Sequence, residues 1–212
     1  MTKKVKIAVD AMGGENAPQK IIEGINISLQ TNKNNFFYIY GKKSILENEI
    51  KKYKLLINNS EIIDTLDIIE DNESPLTAVK KGKESSMWKA IESQKENKSD
   101  ISISAGNTGA LLVISRLLLK TIKGINKPAL AALWPNNNDM NVVLDLGANI
   151  ECDEKNLIDF SEMGSALLKS IFPNEIPKVS LLNIGSEEMK GTELLKNTSL
   201  KLKDLSKLGD FE

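Results

Sequence analysis

Four apolar stretches of this sequence each end in a short polar turn that contains glycine. The turns cover residues 10–14, 104–109, 145–149 and 183–191. Glycine lets backbone N–H groups approach a ligand closely, and ligands of an open parallel sheet bind beyond the carboxyl ends of its strands. We therefore predict that the four turns meet around one ligand. The alternative is that glycine and asparagine serve only to make tight turns.

The second turn has the composition of an anion-binding loop. Gly106, Asn107, Thr108 and Gly109 precede a helical run over 110–120, and the N-terminus of a helix favours negative charge. A phosphate group is the ligand that we expect there. Lys190 lies in the fourth turn and carries a charge that can face the same anion, although a lysine before glycine is also common as a solvated turn residue.

Nucleotide signatures are missing from the sequence. Neither G-x-G-x-x-G nor G-x-x-x-x-G-K-[ST] occurs in it, and these are the patterns that bind dinucleotides and nucleoside triphosphates. We therefore predict no cofactor.

The absence of histidine narrows the chemistry. The chain has 0 histidines and 1 cysteine, Cys152, which excludes Ser-His-Asp triads, Cys-His dyads, His-ligated metals and an internal disulfide. We expect no metal site, and we interpret Cys152 as an inert thiol. Inorganic phosphate is already ionised at neutral pH, and a thioester releases a thiol with a pKa of about 8.5. Attack of phosphate on a thioester therefore needs mainly positioning and oxyanion donors, which backbone-rich turns supply.

The elements that position these turns alternate between strand and helix patterns. Helical spacing predicts helices over 18–30 and 157–171. Apolar, β-branched runs predict strands over 5–9, 36–40, 101–103, 129–133, 142–146 and 179–182. This alternation predicts an α/β fold with a largely parallel sheet. No linker or repeat divides the 212 residues, so we predict a single α/β domain over 1–212.

Charge and hydropathy exclude further classes of protein. The formal net charge is −1 and the pI about 5.8, whereas nucleic-acid-binding domains are usually basic, so we expect no nucleic-acid partner. The longest uncharged run, 101–115, is too short to span a membrane, and Asp10 interrupts the N-terminal apolar stretch. We expect a cytoplasmic protein.

At the four turns, the sequence resembles the bacterial phosphate acyltransferases of phospholipid synthesis, which make acyl phosphate from acyl-[acyl-carrier protein]. The resemblance runs in order through nearly the whole chain. Its motifs are Asp10–Pro18, Ser85–Met87, Ser104–Leu111, Lys127–Leu130, Leu144–Asn149, Met163–Ser165 and Leu181–Gly185 followed by Glu187, Lys190 and Gly191.

The resemblance implies a three-layer α/β/α fold, like that of isocitrate and isopropylmalate dehydrogenases and of phosphotransacetylases. It also implies a homodimer that takes acyl-carrier protein and inorganic phosphate as substrates. The product would pass to a membrane glycerol-3-phosphate acyltransferase, which implies a cytoplasmic protein that is peripheral at the membrane.

The resemblance also assigns roles to residues. Asn107, Thr108 and the amides of 106–109 would hold phosphate, Lys190 would neutralise charge, and Asn149 and Asn183 would orient the thioester. Asp10 would anchor the turns. The predicted catalytic residues are Lys190, Asn149 and Asn183, and the predicted substrate-binding residues are Asp10, Gly13, Gly14, Ser104, Gly106, Asn107, Thr108, Gly109, Asp145 and Gly147.

The chain departs from the family pattern in three places. Glu15 replaces an aspartate, and Lys127 replaces an arginine and so lacks its bidentate fork. Family members also continue into an Asp-Gly-Phe-Thr-Gly-Asn turn and a helical hairpin, so we expect this chain to lack the C-terminal part of the fold. Two alternatives stay open: a phosphotransacetylase-like enzyme that uses acyl-CoA, and a non-catalytic fragment that binds phosphate or an acyl ligand.

A lysine-rich segment offers a surface for the carrier protein. Lys80, Lys81, Lys83 and Lys89 lie in a predicted helical region, and a basic patch would attract an acidic carrier by electrostatic steering. The alternative is an ordinary solvated helix face.

Overall fold

The computed structural model describes residues 4–137, 140–185, 187 and 190–206, apart from the side chain of Lys81. Two compact units make up the chain, Met1–Lys120 and Thr121–Glu212. The single domain over 1–212 stays a prediction.

The first unit is built on a parallel sheet of four strands. The strand order is β3-β2-β1-β4, with β1 at Lys6–Asp10, β2 at Phe36–Gly41, β3 at Ser60–Asp64 and β4 at Ile101–Ser104. Asp10 is the register partner of Ser104 on one side and of Tyr40 on the other. The last residues of β1 and β4 therefore lie side by side, at the edge of the sheet where ligands bind in α/β folds.

Helices cover both faces of this sheet. One face buries Ile7, Val9 and Ile39 against α1 (Gln19–Thr31), α2 (Lys43–Ile50) and α3 (Lys54–Asn59). The opposite face carries Ala8 and Tyr40, which pack with Ala90 of α5 (Ser86–Lys95). Because side chains alternate along a strand, odd and even positions of β1 enter different cores. This unit therefore has the three-layer α/β/α arrangement that the resemblance implies.

A third apolar cluster joins the helices on the α5 side. Met87, Trp88 and Ile91 of α5 pack with Ala78 of α4 (Pro75–Lys81) and with Ile114 of α6 (Thr108–Leu119). A 3₁₀ turn at Gly82–Glu84 separates α4 from α5. This cluster holds the N-terminal end of α6 in place, directly after β4.

The second unit has less regular structure. It contains the antiparallel pair β5 (Ala132–Pro135) and β6 (Met140–Val143), followed by α7 (Glu154–Ile171) and α8 (Glu193–Ser206). Asp153 caps α7 in a capping box with Asn156. None of the helices in the described ranges combines the length and the apolar composition that a membrane span requires.

The predicted elements of the first unit are confirmed, and the α/β class with them. The helix predicted over 18–30 corresponds to α1, and the helix predicted over 157–171 corresponds to α7 of the second unit. β3 was missed because its sequence, Ser60–Asp64, is polar at both ends and none of its residues is fully buried.

The strand predictions of the second unit are partly wrong. The predicted strands over 129–133 and 142–146 shift to β5 and β6, and these pair antiparallel rather than parallel. The Asp145 carboxylate accepts backbone N–H groups, which starts a turn instead of extending β6. No strand forms over 179–182, where the apolar run lines a cleft beside α8. An apolar run becomes a strand only where another strand is available to pair with it.

Candidate active site

The side chain of Asp10 joins the first two predicted turns. It is 2% exposed at the end of β1. Its Oδ2 accepts a hydrogen bond from the Ser104 hydroxyl at 2.7 Å, and its Oδ1 accepts one from the Met12 amide at 3.2 Å. Ser104 Oγ in turn accepts the Gly106 amide at 3.1 Å. One buried carboxyl group thus organises the turn after β1 and the turn after β4.

The glycines of these turns allow the two backbones to touch. A Cβ on Gly13 would lie 2.5 Å from Asp10 Oδ2 and 3.0 Å from the Gly106 nitrogen, and a Cβ on Gly14 would lie 2.6 Å from the Ala105 oxygen. Gly14 also has a φ of +98°, which side-chain-bearing residues rarely adopt. Contact between the turns is therefore a sufficient reason for glycine at both positions.

Asn107 makes its side-chain contacts within the protein. Its Oδ1 accepts the Ala110 amide at 3.0 Å as the N-cap of α6, while its Nδ2 donates to the carbonyl oxygens of Glu70, Asp71 and Glu73 at 2.8–3.3 Å. The side chain thus fastens the 70–73 loop to the start of the helix.

The first turn of α6 offers unused donors. Thr108 is exposed, and its hydroxyl makes no hydrogen bond within the described residues. The amides of Thr108 and Gly109 likewise have no acceptor in the part of the chain that the structure describes. These donors stand at the positive end of a helix dipole, which suits an anion.

The third turn is organised by Asp145. Its Oδ1 accepts the amides of Leu130 and Ala148 at 3.3 and 3.2 Å, and its Oδ2 accepts the amide and the side-chain Nδ2 of Asn149 at 2.9 and 3.0 Å. Asn149 Nδ2 also donates to the Pro128 carbonyl at 2.9 Å. Gly147, with a φ of +81°, permits the tight path of this loop.

The fourth turn is partly described, since Ser186, Glu188 and Met189 lie outside the described residues. Asn183 Oδ1 accepts the Ile184 amide at 2.9 Å, and Nδ2 donates to the Lys190 carbonyl at 3.3 Å. The Lys190 side chain is exposed and lines a cleft of about 640 Å³, together with Asn183 and residues of α8. A cation and apolar walls thus share one cleft in the second unit.

Each unit holds part of the predicted site. The first brings Asp10, Gly13, Gly14, Ser104 and Gly106 together, followed by Asn107, Thr108 and Gly109 at the start of α6. The second holds Asp145, Gly147 and Asn149 in one loop and Asn183 and Lys190 in another. Convergence of all four turns on one ligand stays a prediction.

The lysine-rich segment is less free than its sequence indicates. Lys89 Nζ pairs with Glu84 and Glu92, each at 3.3 Å. Burial lowers the pKa of Lys89, but its hydrogen bonds to the two glutamates outweigh this and leave the pKa raised. Two carboxylates therefore reduce the positive field that an acidic partner would meet at this lysine.

Comparison with known proteins adds to this geometry. Residues 5–209 match the model of the family described as "Fatty acid synthesis protein". The chain belongs to this family. Family members similar to it are named phosphate acyltransferase: that of Pelagibacter ubique is 58% identical over all 212 residues, and that of Ehrlichia ruminantium is 43% identical over 204. The resemblance seen in the motifs is thereby confirmed.

The fatty acid synthesis relatives are longer than this chain. The match covers 100% of the chain and 63% of the Pelagibacter protein, and 95% of the chain and 60% of the Ehrlichia protein. The chain thus spans about three-fifths of the length of these curated relatives.

Solved structures confirm the fold of this family member. The EutD phosphotransacetylase from Staphylococcus aureus matches with a TM-score of 0.65 and 18% identity, covering 98% of this chain and 66% of that one. A phosphotransacetylase from Streptococcus pyogenes matches with a TM-score of 0.61 and 17% identity, covering 88% and 60%. The likeness to dehydrogenases stays a prediction.

Sequence reasoning missed a polar pocket at the ends of β2 and β3, lined in part by Lys42, Asp64 and Thr65. The turn directly after β3 contains no glycine, and the polar residues of β3 do not predict a strand. The available signal was Gly41 at the end of β2, two residues before α2 begins at Lys43.

The contact between the glycine turns gives a stability prediction. Gly13→Ala places a methyl group against Asp10 and Gly106, so we expect unfolding in urea to become easier by about 1–3 kcal/mol. Gly24→Ala is the matched control, because a Cβ at Gly24 in α1 meets nothing within 4 Å. This change should stabilise the helix by about 0.5–1 kcal/mol. Equal effects of the two substitutions would contradict the close packing.

The thiol beside the third turn gives a second prediction. Burial and the charge of Asp145 raise the pKa of Cys152, with Lys127 opposing them. Less thiolate is then present at a given pH, so iodoacetamide should alkylate the native chain more slowly than the urea-unfolded chain at pH 8. The rate against pH should also have its midpoint above the value near 8.5 of a free thiol. If the alkylation rate of the native chain had its midpoint at or below the pH found for the unfolded chain, the raised pKa of Cys152 would be contradicted.

Proposed function

We propose that this chain is part of a phosphate acyltransferase that moves a fatty acyl group from acyl-[acyl-carrier protein] to inorganic phosphate for phospholipid synthesis. The observation that carries the proposal is the 58% identity to a protein named phosphate acyltransferase over all 212 residues. The donors after β4 support it, because the Thr108 hydroxyl and the amides of Thr108 and Gly109 are suited to an oxyanion.

The proposed reaction requires no cofactor. A phosphate oxygen forms a bond to the thioester carbonyl carbon, and the carbonyl electrons move onto its oxygen. When the carbonyl re-forms, the carbon–sulfur bond breaks and the thiolate leaves, later taking a proton from water. Phosphate brings its own charge, so the protein needs mainly to position reactants and to stabilise the oxyanion.

The contacts refine the roles of the phosphate residues. The Asn107 side chain is engaged with Ala110 and the 70–73 loop, so its part is to shape the turn. The Thr108 hydroxyl and the amides of Thr108 and Gly109 are the donors that we assign to phosphate. Asn149 and Asn183 would orient the thioester, and Lys190 would face the developing charge.

The wider setting belongs to the same proposal. We place the protein in the cytoplasm as a homodimer that is peripheral at the membrane, with acyl-carrier protein as acyl donor. A membrane glycerol-3-phosphate acyltransferase would then consume the acyl phosphate. A mixed anhydride of this kind hydrolyses in water, which favours direct consumption close to where it is made.

Two other candidate functions differ from the proposed one in whether, and from which acyl donor, the acyl group is transferred. The fold is shared with phosphotransacetylases, which supports transfer from acyl-CoA as the second candidate. The third candidate is a part that binds phosphate or an acyl ligand without turnover.

The deciding experiment measures thiol release with and without phosphate. It uses acyl-[acyl-carrier protein] and acyl-CoA as donors, with the 212-residue chain and with the same chain extended by the remaining C-terminal segment of the Pelagibacter relative. Phosphate-dependent release from the carrier protein alone is the expected result. Release from acyl-CoA alone would favour the second candidate, and binding without release by the extended chain would favour the third.

Lys190 gives the kinetic prediction. In whichever form is active, Lys190→Ala should lower kcat/KM at least tenfold, about 1.4 kcal/mol of barrier, with an unchanged melting temperature. Lys123→Ala is the control, because Lys123 is exposed outside the four turns. Equal kinetics for the two variants would remove Lys190 from the site.

A further inference from the structure

Gly106 lies in the middle of the turn between β4 and α6, and other parts of the first unit enclose it. A Cβ built on Gly106 would lie 3.1 Å from the Gly13 Cα, 3.3 Å from the Met87 Cε and 3.4 Å from the Ser104 Oγ. Contacts this short leave no space for a side chain. They also leave the backbone at this position little room to move.

The Ser104 hydroxyl uses its proton inside the protein. It donates to Asp10 Oδ2 at 2.7 Å and accepts the Gly106 amide at 3.1 Å. A hydroxyl group has one proton to donate, and a phosphate oxygen needs a donor. Because the proton of Ser104 is engaged with Asp10, what this side chain supplies is a link from the buried carboxyl group to the Gly106 amide.

Met87 supports the same turn from the side of α5. Its side chain is 1% exposed, and its terminal methyl group lies next to Gly106. Ser85 caps α5 by accepting the Trp88 amide at 3.2 Å, which fixes the first turn of the helix, where Met87 lies. The Ser85–Met87 motif therefore ends against the turn that leads into α6.

The two ends of this turn are held as well. Ser104 is the last residue of β4, and the Asn107 side chain is tied to the carbonyl groups of the 70–73 loop. Thr108 is the first residue of α6, so its donors and the Gly109 amide come directly after a segment that is held throughout. Donors that are already in place bind negative charge more strongly, because no ordering cost is incurred on binding.

We propose that Ser104 and Met87 are positioning residues for the phosphate donors and that neither contacts phosphate. Ser104 holds the Gly106 amide by a hydrogen bond, Met87 packs against the same residue, and together they fix the direction of the Thr108 and Gly109 amides. The inference rests on the proposed function, which assigns phosphate to these amides. It gives Ser104 a positioning role in place of the predicted contact with substrate.

A phosphate titration of the ¹⁵N-labelled chain, followed by amide NMR, tests the role of Ser104. We expect saturable shifts of the Thr108 and Gly109 signals in the wild-type chain. Ser104→Ala should weaken phosphate binding about fivefold, the effect of one lost hydrogen bond, and should speed hydrogen exchange of the Gly106 amide. Ser104→Thr keeps the hydroxyl group and should restore both the affinity and the slow exchange.

Ser102→Ala is the matched control. Ser102 lies in the same strand, and its hydroxyl donates to Gln94 Oε1 at 2.7 Å. Both alanine variants should therefore have a lower melting temperature than the wild-type chain, but only Ser104→Ala should bind phosphate more weakly. Equal phosphate affinities for the two variants would show that the Ser104 bond serves stability alone and would overturn the inference.

The wild-type titration separates this inference from the proposed function. If phosphate left the Thr108 and Gly109 signals of the wild-type chain unchanged, the phosphate site of the proposed function would be refuted, and the inference with it. If the wild-type chain bound phosphate and Ser104→Ala bound it equally well, only the inference would be refuted.

Met87→Leu tests the second support. Leucine keeps most of the volume, so the melting temperature should change little, but it lacks the terminal methyl group that reaches Gly106. We expect phosphate affinity to fall several-fold. Ile91→Leu is the control, because Ile91 is equally buried and lies one helical turn further along α5. Equal affinities for these two variants would contradict the role of Met87.

Kinetics give an independent measurement in whichever form of the protein transfers acyl groups. Ser104→Ala should raise the KM for phosphate and leave the KM for the acyl donor unchanged, because the Thr108 and Gly109 donors are assigned to phosphate. Ser102→Ala should change neither value. A fall in kcat with both KM values unchanged in Ser104→Ala would contradict the positioning role.

Discussion

The hydrogen bond between the Asp10 carboxyl and the Ser104 hydroxyl, 2.7 Å long, is the contact on which the proposed ligand-binding edge of the first unit depends. A carboxyl group that is 2% exposed is unfavourable unless it has partners. Asp10 obtains them from the turn after its own strand and from the turn after β4, 94 residues later in the chain. The parallel register that makes Asp10 and Ser104 neighbours is therefore also what makes this burial possible.

The contact between the turns after β1 and β4 also explains the glycines of the first turn. Once Asp10 draws the two turns together, the space between their backbones is too narrow for a Cβ at Gly13 or Gly14. The turn after β4 then leads directly into α6, whose first turn presents exposed donors to solvent. The close packing of the two turns thus explains both the glycines of this motif and the fixed position of the donors that we propose for the ligand. Turns packed this tightly hold the amides of Thr108 and Gly109 in a fixed direction, which supports their proposed role as oxyanion donors.

Some polar side chains of the loops have hydrogen-bond partners within the protein, and others have none among the described residues. The Asn107 and Asp145 side chains have their hydrogen-bond partners inside the protein, so their contribution is the shape of the loops. Thr108 and Lys190 are exposed, and their side chains have no hydrogen-bond partner within the described residues. This division supports the proposed assignments, because an exposed group without a protein partner is the one that can bind a ligand.

Local periodicity and the order of the motifs predict the α/β class, the strands β1, β2 and β4, the helices α1, α6 and α7, and the family. Only the folded chain shows that Asp10 contacts Ser104, that the Asn107 side chain is hydrogen-bonded within the protein, and that 179–182 is not a strand. It also revealed β3 and the unpaired Thr65 hydroxyl. Hydrogen-bond partners distant in the chain decide these features, and no local pattern encodes which distant group will be in reach.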